Sequence, residues 1–107
     1  MILFVANTQA QKTDGDLSQL SLATIDSLLN EAENKGDSPS CILYLEEAVK
    51  KAKIELGPKD TIYATYIADL GYHNSQIGAY EKGIECAQKA KQIIAEVLGK
   101  KNAKYLL

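Results

Sequence analysis

Three observations predict an all-α fold for this chain of 107 residues. Apolar residues recur at spacings of three and four, which is the pattern of one face of a helix. No stretch alternates apolar and polar residues for long enough to predict a strand. Glycine, proline and capping residues divide the chain into segments of helical length. With 46% hydrophobic and 24% charged residues and a net charge of −2, the composition is that of one small globular domain.

The N-terminal segment, residues 1–16, begins with a short apolar run that is followed by small and polar residues. Ala10 and Gln11 lie where a signal peptidase would cut, although no positively charged residue precedes the run. The segment is therefore either the end of a secretory signal peptide or a short apolar lead that packs on the first helix. The first alternative favours export, to a periplasmic or extracellular location, over the cytoplasm. No membrane span is predicted, because the run is far shorter than the ~20 residues that a spanning helix needs.

Four helices are predicted at about 17–35, 39–56, 61–77 and 80–98, with the start of another at 102–107. Asp16 and Gln19 resemble a capping box at the first helix. Gly36 ends that helix, and Ser38 is expected to cap the second, with Pro39 in its first turn. Asp60 or Thr61 is expected to cap the third helix. Gly78 should turn the chain into the fourth helix, and Gly99 should end it.

An internal repeat of 42 residues underlies this organisation. It aligns the two predicted hairpins without a gap, so that 17–57 and 58–99 form two units, and 100–107 begins a third helical segment or a cap. The aligned pairs are Ile25 with Ile67, Leu28 with Leu70, Gly36 with Gly78, Ile42 with Ile84, Ala48 with Ala90 and Leu56-Gly57 with Leu98-Gly99.

The second unit carries the sequence Tyr63-Ala64-Thr65, followed by Leu70-Gly71 and then by a segment, residues 78–85, that reads GAYEKGIE. These motifs resemble the tetratricopeptide repeat, in the 42-residue variant found in kinesin light chains and common in bacterial repeat arrays. The resemblance implies antiparallel helical hairpins that stack as a short right-handed α-solenoid. Gly83 and Ala87 are smaller than the family's usual residues, so we expect looser helix packing there, or packing that is filled by a tyrosine (Tyr66, Tyr72 or Tyr80).

The resemblance also implies a function, because proteins of this family bind an extended peptide or a partner helix in a concave groove. The first helix of each unit lines that groove. Carried over to this chain, the groove-facing residues are Ala23, Asp26, Asn30 and Glu33 on the first helix and Thr65, Ala68, Asp69, Tyr72 and Gln76 on the third. The alternative is that these are simply exposed helix residues.

Two repeats leave an apolar end, which is expected of a piece of a longer array or of a protein that associates with itself. The first hypothesis is therefore a non-enzymatic module that binds a protein or peptide partner. The second is a structural spacer or self-assembly unit that forms oligomers through its terminal helix. Residues 1–56 carry five lysines and nine acidic residues, whereas residues 57–107 carry seven lysines and five acidic residues. Such a chain can stack head to tail with copies of itself, although solvated helix faces also explain the asymmetry.

Enzymatic and nucleic-acid motifs are not found in the sequence. It contains no phosphate-binding loop, nucleophile elbow or HExxH helix, so we predict no catalytic residue, metal or cofactor. All twelve basic residues are lysines, which disfavours nucleic-acid binding because arginine is the preferred residue for phosphate and guanine. His73 is expected at the surface of the third helix or in the groove. Cys41 and Cys86 are best interpreted as packing residues.

Overall fold

The computed structural model describes residues 16–106, with side chains from 17 to 99, and every regular element in this range is helical. A short 3₁₀ turn at Asp16–Gln19 precedes four α-helices: α1 at Leu22–Asn34, α2 at Ser38–Leu56, α3 at Thr61–Gln76 and α4 at Tyr80–Leu106. This confirms the all-α prediction. The proposed signal-peptide cleavage point, before Gln11, lies outside the described residues. No helix in the described range is long and apolar enough to cross a membrane.

The helix starts differ from the prediction at two of the three described caps. Ser21, not the Asp16–Gln19 pair, caps α1, since its hydroxyl accepts a hydrogen bond from the Thr24 backbone N–H at 3.1 Å. Asp37, not Ser38, caps α2, and its carboxylate accepts the Ser40 N–H at 3.2 Å. A carboxylate one residue earlier reaches the free N–H groups of the first turn, which leaves the Ser38 hydroxyl for another partner. The cap of α3 is Asp60, one of the two residues predicted.

The 42-residue repeat is visible in the hydrogen bonds of the two hairpin turns. Gly36 and Gly78 both have positive φ, +68° and +90°. After α1, the backbone N–H groups of residues 35, 36 and 37 donate to the carbonyl groups of residues 31, 33 and 32. After α3, the same three bonds recur 42 residues later, from 77, 78 and 79 to 73, 75 and 74. Both helices therefore end in the same glycine-dependent turn, which uses the carbonyl groups left free at a helix C-terminus.

Gly99 does not end the fourth helix. Helix α4 is one element of 27 residues that continues through Gly99 to Leu106, so the separate helix predicted at 102–107 is instead its last part. A glycine inside a helix costs only about 1 kcal/mol relative to alanine. The expected break fails because the neighbouring leucine, lysine and alanine residues favour the helix.

Two apolar clusters form the core. The first joins α2, α3 and α4, and the second joins α1, α2 and α3. The first cluster comprises Ala52, Tyr63, Ala64, Ile67, Ala90 and Ile93. The second comprises Leu29, Ala32, Cys41, Leu45 and Leu70. Because α2 and α3 contribute to both clusters, they hold the two hairpins together.

Helices α3 and α4 approach each other closely at Gly71 and Gly83. A Cβ atom built on Gly71 would lie 2.8 Å from the Cβ of Cys86 and 2.9 Å from the carbonyl oxygen of Gly83. A Cβ atom on Gly83 would lie 2.9 Å from the carbonyl oxygen of Gly71. The expectation of looser packing is therefore wrong at this contact, because the two glycines let the backbones meet. Of the three tyrosines considered as fillers, Tyr66 packs against the core, whereas Tyr72 and Tyr80 are mostly exposed.

Candidate partner-binding site

Two side-chain contacts join helices α1 and α3. The hydroxyl of Tyr66 donates a hydrogen bond to Asp26 Oδ1 at 2.9 Å, and His73 Nε2 lies 3.4 Å from Glu33 Oε2. Both pairs are separated by 40 residues. Tyr66 and His73 lie seven residues apart on α3, and their partners lie seven residues apart on α1 in the same order. The two helices therefore run in the same direction. The groove-facing residues predicted on α1 and on α3 therefore belong to one continuous surface, called here the α1–α3 face.

His73 is buried at this junction, with an exposed fraction of 7%, so the prediction of a surface or groove position is wrong. Its Nδ1 lies 3.0 Å from the Ser38 hydroxyl at the start of α2, and its Nε2 faces Glu33 near the end of α1. One neutral tautomer satisfies both contacts, in which Nε2–H points to the carboxylate and Nδ1 accepts the hydroxyl proton. The ring thus ties α3 to both helices of the first hairpin.

Three carboxylates give the α1–α3 face a negative charge. Asp69 is half-buried, and its pKa is raised mainly by burial and next by repulsion from Glu33, with a smaller contribution from Asp26. His73 acts in the opposite direction and lowers the pKa of Asp69. Burial also raises the pKa of Tyr66 to about 12, together with its hydrogen bond to Asp26. The phenol therefore stays protonated and keeps its bond through the physiological pH range.

The predicted groove residues differ in how freely they can contact a partner. Asp26 and Glu33 are engaged with α3, and the Thr65 hydroxyl donates to the carbonyl oxygen of Thr61 at 2.9 Å within its own helix. Ala68 is half-buried against the first core cluster. The exposed members are Ala23, Asn30, Thr65, Gln76, Glu33 and Tyr72, the last with 60% of its surface accessible.

Tyr72 is the exposed aromatic residue of this face. Its ring meets the buried His73 ring edge to face, with centroids 5.0 Å apart and planes at 80°. An edge contact of this kind favours one orientation of a ring that is otherwise largely surrounded by solvent. Tyr72 therefore offers a partner a large surface at a reduced cost in side-chain entropy.

The two cysteines are free. Cys41 is buried in the second core cluster, and Cys86 is half-buried between the two clusters. Burial raises the pKa of both thiols, which keeps them in the less reactive protonated form near neutral pH. Their positions agree with the interpretation as packing residues. The described residues contain no cluster of histidine, cysteine and acidic side chains that could hold a metal ion.

Three residues that organise this site were not among the predicted groove-facing residues: Ser38, Tyr66 and His73. Each acts through a partner 35 or 40 residues away. The signal in the sequence was the position of Tyr66 and His73, seven residues apart on α3, each 40 residues after an acidic residue of α1.

No significant match to this chain was found among protein-family models, curated proteins or solved structures.

Proposed function

We propose that this chain is a non-enzymatic protein–protein interaction module, a short α-solenoid of the tetratricopeptide type, which holds a peptide or a partner helix against its α1–α3 face. The observation that carries this proposal is the parallel pairing of α1 and α3. Two junctions at the same separation, Tyr66 with Asp26 and His73 with Glu33, fix one polar surface across both hairpins. The recurrence of identical turns after 42 residues adds support, because stacked units require equivalent turns.

The α1–α3 face offers the contacts that peptide recognition uses. Asn30 and Gln76 are exposed amides on opposite helices, and each can both donate to and accept from a peptide backbone. Tyr72 supplies the aromatic contact of the kind that dominates binding energy in small interfaces. Since Asp26, Glu33 and Asp69 make the surface anionic, we expect its peptides to carry lysine or arginine.

The test is selection of binding peptides followed by a comparison of matched variants. A phage-displayed library of random peptides is selected against the chain, and the enriched peptides are synthesised with a fluorescent label for anisotropy titration. We expect the double variant Asn30→Ala, Tyr72→Ala to raise Kd about tenfold or more, which is ~1.4 kcal/mol or more of binding free energy.

The control for this test is Tyr80→Ala, which removes an aromatic ring of similar exposure, 66% against 60%, at the start of α4. The control should bind the peptides as the wild type does, and circular dichroism should show the same helicity for all three proteins. Selection that enriches no peptide, or a double variant that binds like the control, would contradict the assignment of this face.

A further inference from the structure

The second core cluster joins the two hairpins through one surface of each. Ile42 on α2 packs against the second core cluster, and Leu70 on α3 belongs to that cluster with Leu45. At the junction between the hairpins, the surface of the first hairpin that carries Ile42 therefore packs against the surface of the second hairpin that carries Leu70. Leu70 is 8% exposed there.

The repeat places equivalent residues on the two surfaces that remain open. Ile84 is the counterpart of Ile42 after 42 residues, and 56% of its surface is exposed. Leu28 is the counterpart of Leu70, yet it is only half-buried and lines a shallow groove with Tyr44. The residues that make the junction inside the chain therefore recur, with greater exposure, on the two outer surfaces of the described range.

These open surfaces are apolar over more than one residue. The tail surface comprises Tyr80, Ile84, Ala87 and Leu98, which follow one face of α4 at helical spacing and are all exposed. The head surface comprises Leu28, Glu31 and Tyr44, which line the groove between α1 and α2.

We propose that a second copy of this chain docks head to tail, with its head surface on the tail surface of the first copy. The contact of Leu28 with Ile84 between copies repeats the packing of Leu70 and Ile42 within one copy. The second copy is the indicated occupant because the chain itself contains a working example of this junction, made by the equivalent positions of the repeat.

The charge of the two halves favours the same orientation. Residues 1–56 have a net charge of −4, from five lysines and nine acidic residues. Residues 57–107 have a net charge of +2, from seven lysines and five acidic residues. Among the residues whose side chains the structure describes, 17–56 carry four lysines and seven acidic residues, whereas 57–99 carry four lysines and five acidic residues. Head-to-tail contact therefore joins the more acidic half of one copy to the less acidic half of the next, whereas head-to-head contact joins two of the more acidic halves. This second interface is independent of peptide binding on the α1–α3 face.

A head-to-tail interface is heterologous, so it joins two different surfaces and can extend beyond a dimer. Sedimentation equilibrium of the 107-residue chain, from roughly 10 µM to 1 mM, covers the affinities expected of a small interface. We expect the mass to rise above 11.7 kDa with concentration and to pass the dimer. Ile84→Glu blocks the tail and Leu28→Glu blocks the head, so each variant alone should stay monomeric.

Mixing the two variants gives the decisive measurement. The Leu28→Glu protein keeps an intact tail and the Ile84→Glu protein keeps an intact head, so an equimolar mixture can form one junction. We expect the mixture to form dimers and nothing larger. The matched control is Ile54→Glu, which places the same charge at an apolar α2 residue that is 85% exposed and outside both surfaces. The control should associate like the wild type.

Circular dichroism of every variant tests whether it is folded. A second pair at exposed positions, Glu31→Lys and Ala87→Glu, repeats the test without changing half-buried residues. A wild-type chain that stays at 11.7 kDa over the whole range would overturn the proposal. So would equal loss of association in the Ile54→Glu control. Association that survives Leu28→Glu but not Ile84→Glu would instead show a tail-to-tail dimer.

Discussion

Replacing Gly71 with alanine tests whether the close approach of α3 and α4 holds the second hairpin together. The new Cβ atom would lie 2.8 Å from the Cβ of Cys86, about 0.6 Å inside the 3.4 Å at which ordinary van der Waals contact begins. It would also lie 2.9 Å from the backbone oxygen of Gly83, which cannot rotate away as a side chain can. The helices must therefore separate to accept the methyl group.

Two effects of opposite sign set the magnitude. Alanine is the better helix former, by about 1 kcal/mol. Overpacking of a close contact costs about 1–3 kcal/mol. Gly99→Ala is the matched control, because Gly99 also lies within a helix but its Cβ would meet nothing within 4 Å. We expect Gly99→Ala to raise the free energy of unfolding by up to about 1 kcal/mol and Gly71→Ala to lower it by up to about 2 kcal/mol.

Urea denaturation followed by circular dichroism measures both variants. The difference between them isolates the packing cost, since the gain in helix propensity is shared. In thermal melts, each kcal/mol corresponds to about 4–8 °C for a domain of this size. If Gly71→Ala proved as stable as Gly99→Ala, the two helices would have to be farther apart than described, and the reasoning on Gly71 and Gly83 would fail.

Three further predictions concern single side chains. Asp69→Asn should raise the free energy of unfolding by ~0.5 kcal/mol near neutral pH. The pKa of Asp69 is raised in the folded state, so folding disfavours its charged form. Below the ordinary aspartate pKa the carboxyl is protonated in both states, so the gain should vanish in denaturation curves measured at that acid pH. Tyr66→Phe should cost about 1–2 kcal/mol through its bond to Asp26. The pKa of Tyr66 is about 12 in the folded state, so its contribution to the free energy of unfolding is present below its ordinary pKa of 10.0 and is lost as the pH rises through 12. Urea denaturation at several pH values across this range should therefore show the stability of the wild type approaching that of the phenylalanine variant. Asp60→Ala should lower stability by about 1 kcal/mol in thermal melts, whereas Asp60→Asn should change it little, because asparagine caps a helix equally well.

Local signals in the sequence predicted the helices and most of their ends. Gly36 and Gly78 were interpreted correctly because a positive φ after a helix is a strong local preference for glycine. The prediction at Gly99 was wrong because glycine alone does not end a helix, and no proline follows it in the sequence. The caps of α1 and α2 were each misplaced, since several neighbouring polar residues could serve and only the geometry selects among them.

The candidate site was harder to predict because its contacts are distant in sequence. His73 looked like a surface residue, as neither Ser38 nor Glu33 lies on its own helix. Gly83 was expected to loosen the packing because it is smaller than the family's usual residue. The sequence does not show how closely the backbone of the opposite helix approaches it. Whether the α1–α3 face binds a partner stays a prediction.

The two identical hairpin turns also bear on how the chain folds. Each turn reverses the chain over three residues, 35–37 or 77–79, so the loop that must close is short and its entropic cost is small. Most contacts between helices join neighbours along the chain, and a topology of such local contacts typically folds within microseconds to milliseconds. Either hairpin can form first. The cluster that contains Leu70 then couples one hairpin to the other, so it determines whether the two units unfold together or one at a time.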